Sequence, residues 1–374
     1  MARRELVRLE TPSMPSERGL YWDPDANNGV GARITTNSMI KTMRRCPKQA
    51  EYKYVHRLKP KRLGSPLKRG TWWHALLEAD GKGQDWREVH AQFTGEFSKL
   101  FDEEKDYYGD MPREIETMMN SYQWHYKNDP WEYVDNEFQL EAEFPDGTIY
   151  RGKVDALVRN AFGLWLVDHK SHKSLPNFAY RLQDTQAALY TWAARENGLD
   201  VQGFIWNYAR WKVPSTPKIL KSGVQFSQAA IDTDYPTFAR AVLKAKEIPG
   251  FKFTQRDLKL LKQLKSQRYE FGKIQTSEYF RREVYEHDPE QVERVVKEAF
   301  RTSGRLHNYD FSDRDSVERV PDRSCSFSCS FQDICSAELI GGRVEPLLNA
   351  GYTKGDPNDY YNDRAGDSDK ETKE

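Results

Sequence analysis

Between residues 133 and 172, apolar and polar residues alternate in three successive runs, which is the pattern of β-strands. The runs read YVDNEFQLEAEF, TIYRGKVDALV and LWLVDHKS, and a Pro-Asp-Gly turn separates the first two. They predict a meander of antiparallel strands. The next segment, YRLQDTQAALYTWAARENG, predicts a helix that stops at its Asn-Gly pair, and VQGFIWNYARWKV predicts a further strand.

Helical patterns surround this meander. A helix capped by Asn37 or Ser38 should break at Pro47, and a loop ending at Gly70 should lead into a helix whose apolar stripe lies beside His74. Residues 84–131 and most of 228–302 also have a helical pattern. The last of these regions includes a helix with a basic side, formed by Arg256, Lys259, Lys262 and Lys265.

Helices and strands therefore mix in what we expect to be one large α/β domain. The expected divisions are a flexible arm at 1–33, the domain at 34–350 with its core at about 133–212, a helical insertion at about 228–302, a cysteine segment at 321–340, and a disordered tail at 351–374.

Composition supports a globular chain and limits the function classes. Hydrophobic residues make up 38% of the 374 residues, enough for a substantial core. The formal net charge is zero, so any affinity for nucleic acid must come from local basic faces. No stretch approaches the ~20 apolar residues that cross a bilayer, and we expect no membrane partner and a cytoplasmic location.

The most informative feature is the acidic end of the predicted hairpin. If residues 160–163 form a four-residue loop, Leu157 faces Leu166, Asp155 faces Asp168 and Lys153 faces Lys170. The two carboxylates would then lie roughly 5 Å apart. At an effective dielectric constant of about 20 they repel by roughly 3 kcal/mol, enough to raise the pKa of one of them.

A divalent cation would offset this repulsion. Mg²⁺ or Mn²⁺ between the carboxylates would polarise a phosphate oxygen and activate a water molecule. Lys170 points to the same side as Asp168 and could orient or deprotonate that water, or neutralise charge in the transition state. The alternative is that both acids are solvated strand ends and that Lys170 neutralises one of them.

The segments GKVDAL, LWLVDHKS and QAALY, with the upstream GTWWHALLE, resemble the RecB-like branch of the PD-(D/E)XK nuclease superfamily. The resemblance runs with gaps from about Thr36 to Ile340. It implies a restriction-endonuclease-like core, in which a mixed β-sheet is flanked by helices and carries helical insertions.

The resemblance also implies site residues, residue by residue. His74, Asp155, Asp168 and the carbonyl of His169 would be metal ligands. The catalytic set would consist of Asp155 and Asp168 with Lys170, Gln186 and Tyr190, of which the last two lie four residues apart on one helix face. The sequence gives no ground to choose among Glu137, Glu141 and Glu143 as a further acid.

The four cysteines form a second candidate site. Cys325, Cys329 and Cys335 are clustered and Cys46 is remote, which is unlike a compact zinc finger. The arrangement resembles the iron–sulfur nucleases of the same superfamily, including the AddB nuclease domain and the CRISPR-associated RecB-type exonucleases. In these a 4Fe–4S cluster joins the two ends of the domain as a staple. Zn²⁺ bound by four thiolates and unligated buried cysteines are the alternatives.

The resemblance implies a DNA exonuclease acting on single-stranded or free ends, in repair, recombination or phage DNA processing. A phage-encoded enzyme would work in the host cytoplasm, with helicase or recombination partners or as a homo-oligomer. The competing hypotheses are a non-catalytic DNA-binding scaffold that keeps the fold, and an endonuclease subunit of a larger complex.

Overall fold

A computed structural model describes residues 19–175, 181 and 184–359. The strands are β1 (Trp22–Asp23), β2 (Ala32–Thr36), β3 (Leu58–Pro60), β4 (Glu132–Glu143), β5 (Ile149–Asn160), β6 (Gly163–His172), β7 (Val201–Arg210), β8 (Phe280–Glu286) and β9 (Tyr352–Lys354). The helices are α1 (Ala26–Gly29), α2 (Asn37–Arg45), α3 (Pro47–Ala50), α4 (Ser65–Gly81), α5 (Trp86–Ser98), α6 (Asp102–Tyr108), α7 (Met111–His125), α8 (Thr185–Glu196), α9 (Tyr235–Lys246), α10 (Gln255–Ser266), α11 (Pro289–His307), α12 (Cys325–Ser328), α13 (Gln332–Leu339) and α14 (Glu345–Gly351), with a π-helical turn at Glu51–Val55.

The main sheet is mixed, as the family resemblance implies. Its order is β1-β2-β5-β6-β7-β8, and β4 pairs with β5 along the other edge of that strand. The meander β4-β5-β6 is antiparallel, whereas β2 runs parallel to β5 and β7 runs parallel to β6. Since β2 pairs with the first residues of β5 and β6 with the last ones, the middle of β5 faces a gap between them.

The predicted hairpin register is confirmed, with one correction to its loop. Leu157 pairs with Leu166. Asn160 also pairs with Gly163, so the loop has two residues where four were predicted. The ladder ends at Ala156 and Val167, and the two pairs predicted beyond it are absent from the described pairing. The strands separate there, immediately before the acidic residues.

Both faces of the sheet are covered by helices. On one face, Leu157 and Leu166 pack in a core with Leu189 of α8 and Ala299 of α11. On the other face, α4 and α7 meet through Trp73 and Tyr122, whose rings contact edge to face at 5.6 Å between centroids. None of the described helices is long and apolar enough to span a membrane.

Local chemistry explains where the helices begin. Thr36 caps α2 by accepting a hydrogen bond from the backbone N–H of Met39, in place of the predicted Asn37 or Ser38. Helix α4 begins at Ser65 rather than after Gly70, because Pro66 fits the first turn, where no backbone N–H is needed. Asp184 caps α8 through the N–H of Gln186, so the helix begins at Thr185, inside the longer segment that was predicted to be helical.

Three parts of the chain differ from the sequence-based expectations. The region predicted as a helical insertion contains α9 and α10 but also strand β8, which joins the main sheet. The predicted arm contains β1, α1 and the first two residues of β2, and Leu20 is buried. The predicted tail begins with β9, which pairs with β3. Residues 1–18 and 360–374 lie outside the described residues.

A buried ionic cluster joins the first helices to the C-terminal segment. The Lys48 ammonium lies 2.6 Å from a Glu51 carboxylate oxygen and 3.0 Å from one of Glu338. Arg314 also pairs with Glu51, at 2.7 Å, and with Glu338. Burial raises the pKa of Glu51, but hydrogen bonds from His56, Lys48 and Arg314 outweigh it and lower the pKa to about 2.

The cluster makes stability depend on acidity. Since the folded pKa of Glu51 lies below its usual 4.5, its stabilisation is complete above about pH 4.5 and is lost as the pH falls toward 2. We expect Glu51→Gln to lower the free energy of unfolding at pH 7 by about 3–5 kcal/mol, because it removes one of the two carboxylates that neutralise the buried cations Lys48 and Arg314. Urea unfolding at pH 7 and pH 3 measures the difference, which should be smaller at pH 3.

The matched control is Glu103→Gln, which changes an exposed carboxylate on α6 and should leave stability nearly unchanged at both pH values. An equal loss for the two variants would contradict the role assigned to the ionic cluster.

Candidate active site

The site lies where β5 and β6 separate. Asp155 is the first residue of β5 beyond the last ladder pair, and its Oδ2 accepts a hydrogen bond of 2.6 Å from the backbone N–H of His169. Asp168 and Asp155 are 2% and 5% exposed. A carboxylate therefore occupies the place of the missing ladder contact, and two acidic groups are buried at one end of the gap.

Three side chains from three elements converge on this gap. His74 of α4, Glu137 of β4 and Asp155 of β5 place one potential ligand atom each within 4.8 Å of one another. His74 Nδ1 lies 3.3 Å from Asp155 Oδ2. Carboxylate oxygens with an imidazole nitrogen form a donor set suited to Mn²⁺, and the carboxylates also suit Mg²⁺. The residues present thus fit a divalent cation.

Glu137 is the residue that sequence reasoning left undecided, and the strand register decides it. Glu137 lies between the pairs Asn136–Ala156 and Phe138–Val154, at the level of Asp155. Its backbone φ is 52°, which is uncommon for a residue other than glycine. Backbone conformations of this kind cluster at functional sites.

The two other candidate acids of β4 lie farther from the gap. Glu141 pairs with Arg151 at 2.6 Å, and Glu143 is exposed opposite Ile149. The alternation in NEFQLEAEF places all three acids on one face of the strand. Only the pairing with β5 shows that each acid has different neighbours.

Asp168 contacts two neighbouring side chains and is not part of the group formed by His74, Glu137 and Asp155. Its Oδ1 accepts a hydrogen bond from the Gln186 side chain, and its Oδ2 forms an ion pair with Lys170. Asp168 is outside the compact group of three ligand atoms. The structure therefore brings the predicted Asp168, Lys170 and Gln186 together beside that group.

Tyr190 and Gln186 lie on the same face of α8 but form hydrogen bonds with different residues. Its hydroxyl donates a 2.8 Å hydrogen bond to the backbone carbonyl of Lys153. A Cβ atom at Gly152 would lie 2.6 Å from the Tyr190 ring. The glycine in GKVDAL is thus required by the close approach of this ring, and the contact ties α8 to the strand that bears Asp155.

The pKa values show how crowded the negative charge is. Burial, with the nearby charge of Asp155, raises the pKa of Asp168 to about 6 despite the Lys170 ammonium. The same two causes raise the pKa of Glu137 to about 7. Burial would also raise the pKa of Asp155, but the charge of His74 and its hydrogen bond outweigh burial and lower it. A bound cation would relieve this repulsion.

His169 is positioned from behind by a residue that sequence reasoning missed. Asn207 of β7 donates a 2.9 Å hydrogen bond to His169 Nδ1 and a 2.7 Å hydrogen bond to the Tyr122 hydroxyl. Burial lowers the pKa of His169 to about 3, so the ring is neutral at pH 7 and carries its hydrogen on Nε2. The parallel pairing of His169 with Asn207 is a tertiary contact with no local signal in the sequence.

The four cysteines also come together. All of them line a single cavity of about 380 Å³, although Cys46 is far from the others in sequence. The charged residues lining it, within the part of the chain that the structure describes, are Arg45, Lys48 and Arg319. All four thiols are free of disulfide bonds and partly exposed.

Comparisons with known proteins bear on this site. Among solved structures, similarity is found to a candidate exonuclease from Eubacterium rectale, at 14% identity and a TM-score of 0.35, covering 64% of this chain and 83% of that one. A second, SSO0001, has 15% identity and a TM-score of 0.22, covering 57% and 75%. Similarities this weak carry no argument about function. No curated protein matches the sequence.

A family model gives the decisive match. The model of the PD-(D/E)XK nuclease superfamily matches residues 35–336, which include the histidine of α4, the hairpin acids, the lysine of β6 and all four cysteines. The mixed sheet flanked by helices is consistent with the restriction-endonuclease-like fold of that superfamily. The chain belongs to the PD-(D/E)XK nuclease superfamily.

Proposed function

We propose that the protein is a metal-dependent DNA exonuclease that hydrolyses phosphodiester bonds at single-stranded ends. One observation carries the proposal: His74, Glu137 and Asp155 converge within 4.8 Å, beside the ion pair of Lys170 with Asp168. Membership of a nuclease superfamily supports nucleic acid as the substrate and phosphodiester hydrolysis as the reaction.

Each side chain has a role in this proposal. His74, Glu137 and Asp155 would hold Mg²⁺ or Mn²⁺, with Asp168 and the His169 carbonyl as further ligands. Gln186 orients the Asp168 carboxylate through its hydrogen bond. A bound dication supplies Lewis acidity toward a phosphate oxygen and lowers the pKa of a bound water molecule.

Lys170 supplies positive charge where the reaction needs it. As an ammonium it can stabilise the charge that develops on the phosphate and donate a hydrogen bond to the attacking water. Its ion pair with Asp168 fixes its position at the gap. Tyr190 is a positioning residue, because it binds the backbone of Lys153 and so fixes the strand next to Asp155.

Substrate binding is proposed from exposed positive charge. Arg256, Lys259, Lys262 and Lys265 of α10 are all exposed, and basic side chains of this kind can follow a phosphate backbone. The resemblance to RecB-like exonucleases favours free ends. We therefore propose a role in recombination, repair or phage DNA processing.

Lys170→Ala should reduce cleavage of linear single-stranded DNA by about 100-fold or more, because charge stabilisation in the transition state is lost. The measurement is digestion of linear and circular single strands with Mn²⁺, alongside a thermal unfolding curve of the variant. Lys297→Ala on the exposed side of α11 is the control and should cleave normally.

The same digestion separates the competing functions. Degradation of linear DNA alone identifies an exonuclease, and degradation of both forms identifies an endonuclease. DNA binding by the wild-type protein without any cleavage would contradict the proposal in favour of a binding scaffold.

Glu137→Gln should raise the Mn²⁺ concentration needed for half-maximal cleavage by about tenfold or more, because a charged metal ligand is replaced by a neutral one. Cleavage at saturating Mn²⁺ should fall much less. Metal titrations of cleavage measure both values. Glu143→Gln, on the same strand but exposed, is the matched control, and an equal effect of the two variants would exclude Glu137 as a ligand.

We also propose that Cys46, Cys325, Cys329 and Cys335 hold a 4Fe–4S cluster that joins the two ends of the domain. The fit rests on four thiols around a single cavity and on the cations Arg45, Lys48 and Arg319 in its lining, which suit an anionic cluster of iron, sulfide and thiolates. Four-thiolate zinc is the alternative.

Protein purified without oxygen should be brown, absorb near 400 nm and contain about four iron and four sulfide per chain if the cluster is present. Cys325→Ser should lose this absorbance and unfold at a lower temperature, because the staple is opened, whereas Ser326→Ala should retain both properties. Stoichiometric zinc without iron or sulfide would exclude the cluster.

A further inference from the structure

An open cleft with aromatic walls lies beside the sheet. It has a volume of about 580 Å³, within the range of small-molecule sites. Trp124, Tyr126, Trp131 and Tyr133 contribute rings to its lining, and Arg282 of β8 also lines it. Most of these residues follow α7 or begin β4, whereas none of them belongs to the proposed metal site.

The aromatic walls are held in place by the Arg282 guanidinium. Its central carbon lies 3.3 Å from the Trp131 ring centroid and 3.8 Å from that of Tyr126. Arg282 is 4% exposed and pairs with Asp129 at 2.6 Å. A buried cation between two rings, neutralised by one acid, makes a rigid stacking surface with little net charge.

The cleft also offers hydrogen bonding that the described protein leaves unused. Tyr126 is 6% exposed and lines the cleft, yet its hydroxyl is buried with no hydrogen-bond partner among the described residues. The amides of Asn120 and Gln123 line the same space, and the exposed Lys127 stands at its rim. A buried hydroxyl without a partner is costly, so a ligand with a polar edge would stabilise it.

Two elements connect the cleft to the proposed metal site. Asp80 lines the cleft six residues after His74 on α4, about 9 Å along the helix axis. Tyr133 lies four residues before Glu137 on β4, about 13 Å along the strand. The helix contacts the strand directly, since a Cβ atom at Gly81 would lie 2.9 Å from the Tyr133 ring.

We propose that this cleft binds one unpaired nucleobase of the substrate strand, close to the phosphate that is cleaved. The proposal rests on the proposed nuclease function and extends it to substrate choice. A base is flat and polar at its edge, which matches stacking on Trp131 and hydrogen bonding to the Tyr126 hydroxyl. A duplex cannot present a base in this way without unpairing it, so the cleft favours single strands.

The test measures binding of a short single-stranded oligonucleotide with Ca²⁺, by fluorescence anisotropy, so that affinity is separate from cleavage. Trp131→Ala should weaken binding by about 5- to 150-fold, the loss expected for one stacked base. Trp131→Phe keeps a ring and should retain most of the affinity. Tyr126→Phe removes only the hydroxyl and should weaken binding by about threefold or more.

The position of the bound base is tested with abasic substrates. One abasic position near the cleaved end should weaken binding to the wild-type protein as much as Trp131→Ala does, and should add no further loss in that variant. The free mononucleotide should bind far more weakly than the oligonucleotide, and equal affinities would identify a nucleotide site instead of a strand contact. The control is Phe101→Ala, because Phe101 is 77% exposed and does not line the cleft.

Failure of this inference differs from failure of the proposed function. Unchanged affinity in Trp131→Ala, with normal cleavage by the wild-type protein, would contradict base binding in the cleft but leave the proposed nuclease function standing. Binding that depends on Trp131, without any cleavage by the wild-type protein, would support base binding in the cleft and contradict the proposed nuclease function.

Discussion

The hydrogen bond from the His169 backbone N–H to the Asp155 carboxylate marks the point on which the active site depends. Up to Ala156 the hairpin is an ordinary antiparallel ladder, and beyond it β5 and β6 diverge. An unpaired backbone N–H in a buried strand is costly, and here a carboxylate satisfies it. One side chain thereby closes the ladder and presents an acid to the gap.

Everything else in the site converges on that gap. Helix α4 reaches it from one face with His74, whereas α8 reaches it from the other with Gln186. Strand β4 contributes Glu137 at the level of Asp155. The result is a concentration of buried negative charge that raises the pKa values of Glu137 and Asp168, which is a common property of functional sites.

A second long-range constraint closes the domain. The ionic cluster around Lys48 and the β3–β9 pair bring the first helices against the C-terminal segment. The four cysteines meet at the same junction. Since these contacts join residues almost three hundred positions apart, such as Lys48 with Glu338, forming them costs loop-closure entropy, which the packing and ion pairs at the junction must offset.

The sequence by itself determined the hairpin, its register as far as Leu157 and Leu166, and the helix that bears Gln186 and Tyr190, because local alternation and caps define them. It also supplied the acids, the lysine and the histidine through their motif. Only the tertiary structure selected Glu137 from three acids and placed Asn207 behind His169, because strand pairing sets both contacts. The same holds for β8, whose pairing with β7 overrides the helical pattern around it.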